Sequence, residues 1–208
     1  MSEEEVRFYH EEHVYGWEFV TFTCESTRMI SYYLEKWPDI KVFKRKIDSL
    51  DEITNAIGKN PPIDTIVNCA GLGARDIVND RNLVPIRGQL VKVTAPWIQK
   101  ALLLDEYPDQ PQRCTYVIPN ITNVGVGGTI QKGNENLEKS DEDEEYILKR
   151  AKEAVLSLKD AKIQRHWVGL RPGRRGGIRV ELDENFIRSD GSNVKVKHDK
   201  DLSNNDSR

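Results

Sequence analysis

Apolar and polar positions alternate over residues 17–23 (WEFVTFT), which predicts a strand. Residues 25–36 carry Met29, Ile30, Tyr33 and Leu34 at helical spacing and predict a short helix. A strand is expected over 41–47. Asp48 or Ser49 can cap a helix over 50–58, which Gly58 stops. Residues 64–69 (DTIVNC) read as a buried strand ending in the turn Ala70-Gly71. Strand, helix and strand over 41–71 together read as a βαβ crossover.

Beyond residue 85 the rhythm changes. Residues 88–95 alternate and predict a strand, and 101–105 predict another. Residues 114–119 and 123–131, separated by Pro-Asn, read as an antiparallel pair. The charge run over 134–145 reads as the solvated start of a helix over 146–159. That helix has the apolar stripe Ile147, Ala151, Ala154, Val155 and Leu158. A strand follows over 163–170. The ends are polar: residues 1–15 are expected to be loose and 197–208 disordered.

Composition narrows the class. The 208 residues are 38% hydrophobic and 31% charged, as in a globular protein. A net charge of −3 gives no basic field for nucleic acid. No apolar run is long enough to cross a bilayer, and the acidic N-terminus lacks a signal-peptide pattern. Cys24, Cys69 and Cys114 form no C-x-x-C, so buried reduced thiols are expected rather than a disulfide framework. His10, His13, His166 and His198 do not cluster, and no metal site is expected.

Four places could carry chemistry. Gly71-Leu72-Gly73 follows a strand, where backbone N–H groups could cradle a phosphate or simply form a tight turn. Asp76 stands where a dinucleotide fingerprint needs its third glycine, which disfavours an NAD enzyme. Gly127-Gly128 is either a hairpin bend or a place where a flat ligand approaches backbone. Arg171, directly after an apolar strand, is expected to be partly buried and to need a planar anion. That anion is either a substrate carboxylate or a structural Asp or Glu, while Arg174 and Arg175 are expected to be solvated. Tyr116, within a strand, is either core or a ligand contact.

In their order, TIVNCAGLGAR, VPIRGQLVKVTAPW, YVIP, GGTIQKGN and VGLRPGRRGGIRVE resemble the D-amino-acid oxidase family, D-aspartate oxidases included. YGWEFVTFTCES and FKRKIDSL resemble earlier family segments, so the likeness covers about residues 14–196. It implies an α/β (α+β) fold, with a partial Rossmann-like FAD-binding domain and a substrate domain on a large mixed, mainly antiparallel sheet. The implied segments are a partial FAD-binding domain over 16–84, a substrate domain over 85–168 and a return to the FAD domain over 169–196.

The resemblance also implies roles. Ile47, Cys69, Ala70 and Gly71 match positions along the FAD cofactor. Arg171 matches the arginine that pairs with the substrate α-carboxylate, and Tyr116 the tyrosine that assists it. The implied reaction oxidises a D-amino acid with O₂ to an imino acid, giving hydrogen peroxide, and then a keto acid and ammonia. A homodimer is left open, and a peroxisomal or cytoplasmic location follows from the family alone.

Three departures stand out. The family's opening G-x-G-x-x-G turn and its later H-x-Y-G-H-G-like stretch have no counterpart here. The places of the extra D-aspartate oxidase arginines hold Leu103 and Ile130. The chain therefore reads as truncated at both ends, with weak FAD binding and little activity expected of it alone. The alternative role is an inactive form that associates with a full-length subunit.

Overall fold

A computed structural model describes residues 1–9, 15–53, 63–104, 111–187, 191 and 193–200. The chain is mixed α+β with two sheets and divides into two compact units. Unit 1 comprises Met1–Lys41, Gly88–Gln131 and Asn136–Gly169, and unit 2 comprises Val42–Arg87, Lys132–Glu135 and Leu170–Arg208. Among the described residues, no helix is long and apolar enough to cross a membrane.

Unit 1 opens with α1 (Glu3–Tyr9). Ser2 and Glu5 form a reciprocal capping box: the Glu5 N–H donates to Ser2 Oγ at 3.2 Å, and the Ser2 N–H to Glu5 Oε2 at 2.6 Å. Within this helix Val6 is buried. Of the segment expected to be loose at 1–15, Glu3–Tyr9 is instead helical, because S-x-x-E supplies the cap. His10 and His13 lie outside the described residues.

α2 (Ser26–Lys36) forms as expected, but its apolar positions stay open, with Met29, Ile30, Tyr33 and Leu34 all exposed. Residues 17–23 form no strand. Their alternation specifies a face, but no neighbouring strand takes up their backbone groups, and Trp17, Phe19 and Phe22 stand exposed.

The larger sheet has the order β3-β4-β5-β2-β6, with β7 also pairing β2. Its strands are β2 (Leu83–Thr94), β3 (Leu102–Leu104), β4 (Arg113–Pro119), β5 (Val124–Thr129), β6 (Gln131–Lys132) and β7 (Lys162–Arg174). The chain passes from one unit to the other within β2, β6 and β7. β4 and β5 form the expected antiparallel pair, closed where the Asn120 N–H donates to Asn123 O at 2.8 Å. Asp105, at the end of the strand expected over 101–105, lies outside the described residues.

One face of this sheet is covered within unit 1 by α3 (Asp141–Ala154). Val91, Val93, Val117, Val124 and Val126 pack there against Ile147, Ala151 and Leu158. The helix begins five residues before the expected start, because Ser140 caps it through the Asp143 N–H. The charge run is not wholly solvated. Asp143 is buried and accepts from Gln131 Nε2 at 3.0 Å and Arg113 at 3.4 Å. A 3-10 turn (Leu156–Asp160) replaces the expected last helical turn.

Unit 2 holds the smaller sheet, β1-β9-β8, formed by β1 (Thr65–Asn68), β8 (Arg179–Ile187) and β9 (Asn193–Lys200). β1 runs parallel to β9, and β8 antiparallel to it. Leu50, Ile66, Val194 and Val196 form the core, with Ile53, Ile77 and Phe186 against them. Two expectations are corrected here. Residues 41–47 are not a strand, so the βαβ crossover over 41–71 does not form; the parallel neighbour of β1 is β9. Residues 197–200 belong to β9 rather than to a disordered tail, because the alternation NVKVKH buries Val194, Val196 and His198. Residues 54–58 of the helix expected over 50–58, and 201–208, lie outside the described residues.

The three cysteines form no disulfide with one another; Cys24 and Cys69 are exposed and Cys114 is partly covered. Burial was the wrong expectation: Cys69 falls just past the end of β1, and Cys24 lies in the unpaired segment before α2.

Candidate functional site

Unit 2 brings five of the six expected site residues into one body: Ile47, Cys69, Ala70, Gly71 and Arg171. β1 ends at the buried Asn68, and the chain turns out through the exposed Cys69 and Ala70. The Ala70 N–H donates to Asn68 Oδ1 at 3.2 Å, and the Gly73 N–H to Ala70 O at 3.0 Å. Gly71 sits at φ +55°, a left-handed conformation that glycine adopts without penalty. Gly71–Gly73 is then a single 3-10 turn leading into a one-turn helix, Ala74–Ile77. Because the Ala70 and Gly73 N–H groups are taken up internally, the tight-turn reading of Gly71-Leu72-Gly73 is the better one.

The turn does not stand alone. A Cβ built on Gly71 would come within 3.8 Å of Pro172 Cγ, so the residue after Arg171 approaches the turn without filling the space at Gly71. Arg171 is partly buried in β7, as its position after an apolar run leads one to expect. Ile47 is also partly buried. Cys69 and Ala70 carry small side chains and Gly71 none, so the turn offers open backbone on which a flat ring such as a flavin could lie. These residues fit FAD on that count.

Also in unit 2, Asp80 organises two cations. Its side chain is 2% exposed and pairs with Arg174 Nε at 3.2 Å and Arg179 at 3.5 Å. Arg174 was expected to be solvated; it is instead partly buried and held by Asp80 and by the Gly177 carbonyl. Arg175 is exposed. A cleft of about 320 Å³ lies here, lined by Val84, Ile86, Lys132, Gly133, Gly173 and both arginines.

Tyr116 belongs to unit 1, where it is partly buried on β4. It forms a transverse row with Leu103 on β3, Gly127 on β5 and Leu90 on β2. Its ring lies against Gly127 and Gly128, and a side chain on Gly128 would meet the Tyr116 hydroxyl at 2.9 Å. The flat group that approaches this backbone is the protein's own tyrosine. Leu103 is exposed and Ile130 partly buried, so both places matched to D-aspartate oxidase arginines present apolar side chains.

Sequence reasoning missed several groups that shape these regions: Asn68, Asp80, Gln89 and Asp143, all buried polar side chains. Among the described residues, no cluster of His, Cys, Asp or Glu could hold a metal ion.

Comparison with known proteins extends the geometry. The chain is 33% identical over 205 residues to D-aspartate oxidase of Homo sapiens, covering 95% of this chain and 54% of that protein. It is 30% identical over 187 residues to D-amino acid oxidase of Dugesia ryukyuensis, covering 88% and 52%. It thus spans about half the length of these relatives. Among solved structures, glycine oxidase from Geobacillus kaustophilus aligns with a TM-score of 0.50 at 20% identity, over 65% of this chain and 35% of that one, a likeness of fold. A model of the FAD dependent oxidoreductases (DAO) matches residues 39–192, most of the chain, and the protein belongs to that family.

Proposed function

We propose that this chain carries the substrate-gripping and part of the flavin-facing machinery of an FAD-dependent D-amino-acid oxidase. Arg171 pairs through its planar guanidinium with the α-carboxylate of a D-amino acid, and the Tyr116 hydroxyl assists. The backbone of Cys69, Ala70 and Gly71, with Ile47, lies along the cofactor. When bound, FAD supplies the two-electron acceptor that O₂ restores with release of hydrogen peroxide. The chain's own contribution is orientation: a bidentate arginine fixes the α-carbon relative to the turn, and positioning of this kind lowers a barrier substantially. The observation that supports the reading is that Pro172, next to Arg171 along the chain, approaches the turn at Gly71, so both segments meet within one unit. The family reading also carries a peroxisomal or cytoplasmic location with it.

The test is the visible spectrum of the purified chain after FAD addition and desalting, followed by a peroxide assay with neutral and acidic D-amino acids. Retained flavin absorption, with turnover that falls on the order of 100-fold or more in Arg171→Ala, supports the reading. A protein that stays colourless at saturating FAD overturns it for this chain alone and favours the inactive form that associates with a full-length subunit. Turnover undiminished in Arg171→Ala overturns the role of the arginine.

A further inference from the structure

We infer that His198 is a positioning residue: a buried, neutral histidine, protonated on Nε2, that holds Asn68 and through it the turn at Ala70. The link to the cofactor rests on the function proposed above; the hydrogen-bond assignment does not.

Asn68 and His198 are partners in the parallel register of β1 and β9, and are 5% and 3% exposed. Asn68 Nδ2 stands 3.3 Å from His198 Nδ1. Distance alone leaves the proton on the histidine unassigned, but the other end of the amide decides it. The Ala70 N–H can only donate, and it faces Asn68 Oδ1 at 3.2 Å. The amide orientation is therefore fixed, with Nδ2 toward the histidine. Nδ2 carries only donors, so Nδ1 must offer its lone pair and the ring proton sits on Nε2. A proton on Nδ1 would set two donors face to face and forfeit the bond that Asn68 Nδ2 makes there. Glu181, the register partner of His198 on β8, is paired with Arg179, and its carboxylate also acts on His198 in favour of the imidazolium; the Asn68 donor at Nδ1 opposes that and holds the ring neutral.

The arrangement makes a relay of position. His198 fixes the rotation of the Asn68 amide, and that amide fixes the first N–H of the turn. The turn is thus tied to a side chain 130 residues away in sequence.

Nitrogen-15 NMR of the full chain at neutral pH reads the assignment directly. The expected spectrum shows His198 with Nε2 protonated and Nδ1 bare; a protonated Nδ1 overturns the inference. Asn68→Asp keeps an acceptor for Ala70 but turns a second acceptor toward Nδ1, so a proton is expected to appear on Nδ1. An unchanged tautomer would sink the pairing.

Amide exchange supplies the positional readout. In His198→Leu the Ala70 amide is expected to exchange about tenfold faster, as for loss of one hydrogen bond, while the Val126 amide in the other sheet is unchanged. His198→Gln, whose side-chain oxygen can accept, should restore part of the protection. Unchanged Ala70 exchange in His198→Leu overturns the positioning role. Loosening at Ala70 with unaltered FAD retention supports the positioning and removes the turn from the proposed cofactor contact. If His198→Leu does not fold, the unmodified protein's spectrum still decides.

Discussion

Tyr116 on β4 lies directly opposite Gly127 on β5, with its ring filling the space that a side chain on Gly127 would occupy. Gly128, next along β5, is limited in the same way, by the Tyr116 hydroxyl and by the Gln89 carbonyl at 3.0 Å. The two glycines are therefore the seat of the tyrosine, and they set how far its hydroxyl extends along the sheet.

Gly127→Ala is expected to lower stability by about 2 kcal/mol, because the added methyl overpacks a fixed ring. The same substitution made in Tyr116→Ala should cost much less. A double-mutant cycle from urea unfolding measures the difference; equal costs in both backgrounds would show that the ring is not what the methyl meets.

Asp80 neutralises Arg174 and Arg179 from a nearly inaccessible position. Asp80→Ala leaves two partly covered guanidinium groups without that carboxylate, and a loss of about 3 kcal/mol is expected. Asp80→Asn, which keeps an oxygen acceptor, should lose less. Denaturant midpoints of the two variants at neutral pH provide the comparison.

Gln89 is fully buried and bonds Ser140 in both directions, its Nε2 donating to the Ser140 carbonyl at 2.7 Å and its Oε1 accepting from the Ser140 N–H at 2.8 Å. Ser140→Ala removes only the helix cap and should cost about 1 kcal/mol. Gln89→Leu strands two backbone groups and should cost about 3 kcal/mol. Thermal unfolding followed by circular dichroism would rank them, and the reverse order would refute the account.

Four acidic groups among the described residues are held below their usual range by partners: Glu181 by the Arg179 guanidinium, Asp141 by the Lys139 ammonium, Glu25 by the Thr122 hydroxyl and Glu5 by the Ser2 N–H. A carboxyl whose folded value is depressed adds stability that is complete above its unfolded value and fades as pH falls through the folded one. The decline should begin below the ordinary glutamate value of 4.5 and stay shallow, because Glu5, Asp141 and Glu181 are solvent-exposed and only Glu25 is partly covered. Urea midpoints between pH 7 and pH 3 would show it, with Glu181→Gln flattening the slope slightly.

Where a pattern repeats, the sequence was informative. The apolar stripe of α3 and the alternation of β4 and β5 each involve several residues that agree, and the structure has these elements close to where they were expected. Residues 17–23 and 41–47 carry a comparable signal and form no strand. Alternation specifies which face a strand would bury, but not whether a neighbour exists to bond its backbone. The cap of α1 was readable in Ser2 and Glu5, since S-x-x-E has a direct physical meaning. Asn68, Asp80 and His198 were not readable as a site: each is a single polar letter whose partner lies far along the chain, and pattern arguments are local. The candidate site was legible as separate pieces, Gly71 and Arg171, whereas their approach through Pro172 needed the fold.

The parallel pairing of β1 with β9 has a consequence for how the protein is made. β1 stands at the end of its sheet, and β9 is its neighbour there. Asn68 and His198 are 130 residues apart, so at roughly 5–20 residues per second β1 waits on the order of ten seconds for its partner to be synthesised. The β4–β5 hairpin can close as soon as it is made, whereas Ile66 and Asn68 stay uncovered until the last strand arrives. During that interval β1 presents an open edge, and the nascent chain is then most exposed to mispairing and to capture by chaperones.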